Sequence, residues 1–165
     1  MKKLLIVLLL LPLFAFTQTI SPVTVKDFKP AFGKWKGSLT YLDYSSGKPY
    51  TMPANVTINK DGNNVHQLIL AFAYPDEPKA NGNDTLVISN DGLQVDGAIV
   101  VSKKKNSDGT VEIITEKNGV DGNDNRKAII RHIYIIGKKK FSNRKEVKFD
   151  SEEKFIVRNE YIMIR

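Results

Sequence analysis

Gly33-Lys34-Trp35-Lys36-Gly37-Ser38-Leu39-Thr40-Tyr41 is the stretch whose reading decides the fold. In an extended chain Trp35, Gly37, Leu39 and Tyr41 share one face, and Lys34, Lys36, Ser38 and Thr40 share the other. A two-residue period of this kind marks a strand with one buried side. The stretch holds the single tryptophan of the chain. A series of similar runs follows it.

Outward from this strand, turn pairs punctuate the sequence: Asp61-Gly62, Asn81-Gly82, Asp91-Gly92, Asp108-Gly109, Asn118-Gly119 and Asp121-Gly122. Such pairs accept the positive φ angles of tight hairpins. The segments between them are rich in Val, Ile, Thr, Tyr and Phe, the composition of strands. Strands are expected near 34–44, 50–59, 64–74, 84–89, 93–103, 110–117, 126–136, 139–149 and 154–164, with a short helical turn within 24–32. The fold class is therefore all-β, an antiparallel up-and-down barrel of 8–10 strands. Nine sequential strands cannot close with antiparallel pairing, so one strand is miscounted, residues 18–25 add one, or the sheet stays partly open.

Several faces can be assigned. Met52, Ala54, Val56 and Ile58 oppose Thr51, Asn55 and Thr57 in the second run. In the last run Phe155, Val157, Tyr161 and Met163 share a face with Asn159 and Arg165, against Ile156, Arg158, Glu160, Ile162 and Ile164. The run 64–74 is apolar on both sides, which calls for a cover on its outer face: residues 24–32 or a partner molecule.

The N-terminus reads as an export signal. Lys2 and Lys3 precede an apolar run from Leu4 to Phe16, and Ala15-Phe16-Thr17 offers a cleavage site before Gln18. The run is too short to span a bilayer as a helix. Residues 1–17 are thus expected to be a signal peptide and 18–165 a single domain, periplasmic or secreted. The chain contains no cysteine, which excludes disulfides, thiolate metal sites and lipoprotein attachment. A formal charge of +7 loses two units with Lys2 and Lys3. The remaining basic excess favours anionic partners. No nucleic-acid motif is present, and no nucleic-acid partner is expected.

Gly33-x-Trp35 at the head of the first strand, after a short helical lead-in, resembles the calycins: lipocalins, fatty-acid-binding proteins and nitrobindin-like barrels. The resemblance implies that Gly33 and Trp35 plug one end of an up-and-down barrel, with an arginine of the last strand packed over the indole. Arg165 matches by face, with Arg158 as the alternative. The Arg-x-Tyr of fatty-acid-binding proteins is missing, since Arg158-Asn159-Glu160-Tyr161 has another spacing.

With nine strands the loops divide by charge. Those near 45–49, 75–83, 103–109 and 137–140 carry Lys48, Lys79, Lys103, Lys104, Lys105, Lys138, Lys139 and Lys140 against Asp76, Glu77 and Asp108. Those near 60–63, 90–92, 118–125 and 150–153 carry Asp61, Asp91, Asp121, Asp124, Asp150, Glu152 and Glu153 against Lys60. The lysine loops are expected to rim an open mouth opposite Trp35, where they would steer an anionic ligand or touch an anionic membrane surface.

Catalytic signatures are absent: no cysteine nucleophile, no Gly-x-Ser-x-Gly and no His-Glu-x-x-His. The chain is not expected to be an enzyme, nor to need a cofactor or metal. His66 and His132 each fall in a strand; pointing inward together they would suit a haem iron, the nitrobindin-like alternative. Asp121-Gly122-Asn123-Asp124-Asn125 starts like a calcium loop, but Arg126 replaces the required glycine. Tyr41, Asn159 and Tyr161 fall on inward faces, where polar groups need partners, and Arg131 or His132 joins them, depending on which face of the run 126–136 turns in. Tyr41, Arg131, Asn159 and Tyr161 are the candidate ligand-binding residues. The functional expectation is a monomeric carrier of a small apolar, amphipathic or anionic ligand. The alternative is a protein-interaction or envelope-structural barrel filled by its own side chains.

Overall fold

The computed structural model describes residues 20–43 and 45–165; the signal-peptide reading of residues 1–17 lies outside them. The described chain is a meander of ten antiparallel strands: β1 (Gly33–Leu42), β2 (Pro49–Lys60), β3 (Gln67–Ala73), β4 (Gly82–Val87), β5 (Gln94–Val95), β6 (Ala98–Lys105), β7 (Val111–Asp121), β8 (Arg126–Ile136), β9 (Lys140–Phe149) and β10 (Ile156–Ile164). Each strand pairs with its sequence neighbours except β4 with β5, and β1 pairs antiparallel with β10. Between β4 and β5 the ring is joined only by the Ile88–Val95 bridge and the turn around it. The result is a nearly closed up-and-down barrel. Among the described residues no helix is long and apolar enough to cross a membrane.

The tenth strand comes from a turn inside the expected run 93–103. Asp96 and Gly97 adopt φ of 51° and 69°, the left-handed pair of a tight hairpin, and split the run into β5 and β6. Asp96 holds the corner by accepting the Val87 N–H on its carboxylate at 2.8 Å. Conversely Asn118-Gly119, read as a turn, lies within β7. The even count resolves the closure problem, because β10 now runs opposite to β1.

The β1–β10 seam depends on Gly37. A Cβ there would lie 2.0 Å from the Ile162 carbonyl oxygen and 2.9 Å from Met163 Sδ, so only glycine allows the two strands to meet. The 3₁₀ segment Val25–Ala31 crosses the barrel end where β1 begins. Phe28 and Tyr134 meet edge to face, with centroids 5.9 Å apart, and Lys103 pairs with Asp27 and donates to the Pro22 carbonyl. Trp35, Val56, Ile58, Leu68, Ile113, Ile136 and Met163 fill this half of the barrel and are almost completely buried. The lead-in therefore caps the barrel end and does not cover the outer face of β3. There Ile69, Ala71 and Ala73 lie half-buried beside Thr85, Thr57 and Asn55 of the flanking strands.

The extra strand also reverses the expected loop polarity. Loops β6–β7 and β8–β9, with Lys103 to Lys105 and Lys138 to Lys140 at or beside them, lie at the Trp35 end. The opposite end gathers Asp43, Asp76, Glu77, Asp96, Asp124, Asp150, Glu152 and Glu153 against Lys48, Lys79 and Lys154. The basic rim belongs to the plugged end and the acidic rim to the mouth.

Candidate functional site

At the plugged end the three residues implied by the resemblance meet. Trp35 Nε1 donates to the Ala31 carbonyl at 2.6 Å, which fixes the indole beneath the 3₁₀ segment. The Arg165 guanidinium lies 4.0 Å from the indole centroid and donates to the Phe32 carbonyl. Gly33 has φ of 104°, and a Cβ on it would sit 3.2 Å from Arg165 Nη2. These contacts close this end.

The other half of the barrel is chemically different. Across β7, β8, β9, β10 and β1 the register aligns Thr115, His132, Lys145, Asn159 and Tyr41. They alternate with outward residues on the face that also carries Ile113, Tyr134 and Phe141, so they form a polar belt inside. Above it a second apolar cluster, Ala128, Ile130, Val147 and Phe149, continues the inner face toward the mouth.

Partners in the belt are specific. His132 Nδ1 donates to Asn143 Oδ1 at 3.2 Å, and Tyr161 and Tyr74 share a hydroxyl–hydroxyl bond of 2.7 Å. Burial pushes the His132 pKa down, outweighing its bond to Asn143, so the ring stays neutral near pH 7. Burial, then the bond to Tyr74, pushes the Tyr161 hydroxyl up. Thr115 is 1% exposed, and its Oγ1 has no hydrogen-bond partner among the described residues. A buried hydroxyl without a partner costs about 1–3 kcal/mol.

Asp121 anchors the mouth side. Its carboxylate accepts from Lys145 Nζ at 2.7 Å and from Arg158 Nε, with the Asp121 and Arg158 side chains 5% and 8% exposed. Burial raises its pKa, but bonds to Lys145 and Arg158 and their charges outweigh that and hold it below the usual carboxylate range. The calcium-like stretch is thus the end of β7 and its hairpin, with Asp121 committed to cations.

Arg158 reaches this position through a bulge between Val157 and Asn159, which shifts the register against β9. The sequence pattern placed Arg158 on the outer face and Val157 inside; Val157 is 48% exposed. Arg131 lies on the outer face, where it pairs with Glu116 and Glu146 and covers the Phe155 ring at 3.6 Å. Of the two alternatives on this strand it is His132 and not Arg131 that turns in, and Phe155 does not face the interior as expected.

Tyr41, Leu42, Asp43, Ser45, Asn123, Lys145, Arg158 and Asn159 line a crevice of about 520 Å³ at the mouth. It brings together Tyr41 and Asn159, while Tyr161 lies deeper with Tyr74. His66 and His132 do not converge: His66 lines a groove at the plugged end with Val23 and Val65. Among the described residues no group of three His, Asp or Glu is arranged to hold a metal. Sequence reasoning missed Thr115 and Lys145 in the belt and Asp121 on the mouth side. The inward parity of Lys145 beside Val147 was the available signal. Compared with known proteins, the chain matches no family model and no curated protein.

Proposed function

We propose that this chain is an exported calycin-type binding protein that holds a small amphipathic molecule at its mouth. The observation that carries the reading is the crevice of about 520 Å³ lined by Tyr41, Asn159, Lys145 and Arg158, opening next to the polar belt. Its volume falls within the roughly 300–1,000 Å³ of small-molecule sites. Lys145 and Arg158 attract an anionic or strongly polar group at the rim, tempered by Asp121. Inside, neutral His132 has Nε2 as its acceptor, and Thr115 supplies a hydroxyl in search of a partner. Support for calycin kinship comes from the Gly33–Trp35–Arg165 plug and the ten-strand meander.

One observation favours the rival reading of a self-filled interaction module. The plugged half is packed to near-zero exposure and leaves no room for a long tail. A ligand consistent with both facts is short, seated in the mouth half. Titration with 1-anilinonaphthalene-8-sulfonate, an amphipathic anion, tests this. Saturable binding that Tyr41→Ala and Asn159→Ala each weaken, and that Lys138→Glu does not, supports the mouth site. Binding that ignores Tyr41 and Asn159 rejects it in favour of the filled module.

A further inference from the structure

We propose that the plugged end of the barrel is a second functional surface, which docks on an anionic lipid bilayer. This inference is independent of the mouth site. The lysines cannot guard the mouth, because they sit at the other end of the molecule. The 3₁₀ segment crosses this face with a groove on each side. Lys26 and Lys29 border one groove, and Lys105, Lys138, Lys139 and Lys140 border the other. All six are exposed, and among the described residues none has a carboxylate within ion-pair distance. Asp108 feels Lys140 only at longer range.

Two further features select a lipid surface over a protein. Exposed apolar side chains stand on the same end: Val65 at 66% and Leu93 at 44% exposure. Apolar tips that enter the headgroup region among lysines that pair with phosphates are the ingredients of interfacial binding. Lysine, in contrast, is depleted at protein–protein interfaces. The acidic mouth fixes the orientation, since an anionic bilayer repels it. In that pose the mouth faces solvent and stays open to ligand exchange.

The test is sedimentation of the protein with vesicles of phosphatidylcholine alone or mixed with phosphatidylglycerol. Binding is expected only with the anionic lipid, and it should be lost as salt shortens the Debye length from about 10 Å to about 3 Å. Lys138→Glu/Lys139→Glu/Lys140→Glu should lower partitioning by about a hundredfold or more, at roughly 1 kcal/mol per lysine near the surface. The matched triple reversal at the mouth, Lys48→Glu/Lys79→Glu/Lys154→Glu, should change it by less than about tenfold, being more than a Debye length away. Val65→Ser, which leaves the net charge unchanged, should weaken it through the lost apolar tip. Circular dichroism checks that each variant is folded, and the salt titration of the unaltered protein stands even if one is not. Absence of binding to anionic vesicles at low salt overturns the proposal. So does equal loss in both triple variants, or salt-dependent binding to a DNA duplex with none to vesicles.

Discussion

Arg165 lies with its guanidinium 4.0 Å from the centroid of the Trp35 ring, and this contact ties the end of the last strand to the start of the first. It exists because the strand count is even. With β10 antiparallel to β1, the residue following β10 returns to the level at which β1 begins.

Arg165→Ala should therefore lower stability by about 1 kcal/mol through the lost cation–π contact, together with the bond to the Phe32 carbonyl. Arg165→Lys should recover part of the loss, since a lysine keeps the charge without the planar fork. Urea unfolding followed by Trp35 emission reads both. An unchanged midpoint in Arg165→Ala would mean that the contact does not help hold the barrel shut.

Gly37→Ala should be more damaging than any exposed-glycine change. Its new methyl would meet the Ile162 carbonyl at 2.0 Å, a backbone atom that cannot move without parting β1 from β10. Overpacking of this kind costs on the order of 1–3 kcal/mol or more. Hydrogen exchange should accelerate along the β1–β10 seam first. Retention of normal protection there would contradict the close approach.

Gly97→Val should loosen the β4–β5 closure. Gly97 has φ of 69° and pairs with Asp96 at 51°, a corner that β-branched side chains oppose. A loss of about 1 kcal/mol or more is expected, with faster exchange of the Val87 amide that Asp96 accepts.

Two interior groups, His132 and Asp121, contribute to the acid limb of stability. The His132 pKa is lowered by burial, so the unfolded chain takes up that proton first. Its contribution is complete above the unfolded value of about 6.5 and declines as pH falls below it. His132→Asn should flatten the stability profile in that window. Asp121 has a depressed carboxyl, so its contribution is present above the unfolded value of about 3.9 and disappears as pH falls through the folded one. Asp121→Asn removes the carboxylate beside buried Arg158, which costs on the order of 3 kcal/mol at neutral pH. A pH-dependent denaturation series on the two variants separates the windows.

The fold was legible wherever alternation was regular. Trp35 to Tyr41 and Met52 to Ile58 announced their inner faces, and the turn pairs marked most hairpins. Asp96-Gly97 is a turn pair like the six that were read, and it was passed over because apolar residues stand on both sides of it, Val95 and Ala98 among them, and read as one strand. That one missed turn inverted the ends of every later loop. The belt was half legible: Tyr41, Asn159 and Tyr161 follow from parity. Arg158 does not, because a bulge breaks the two-residue period, and nothing local in a sequence signals its meeting with Asp121 thirty-seven residues earlier. Arg131 was ambiguous because both faces of β8 carry isoleucines, and only Glu116 and Glu146 on neighbouring strands draw it outward.

Native mass spectrometry of the protein purified from cells under non-denaturing conditions addresses the mouth site most directly. A single small adduct should accompany the folded chain, leave on unfolding, and be reduced in Tyr41→Ala and Asn159→Ala. A bare chain mass, together with no uptake from a total extract of cell small molecules, would contradict the carrier reading and leave a barrel filled by its own side chains.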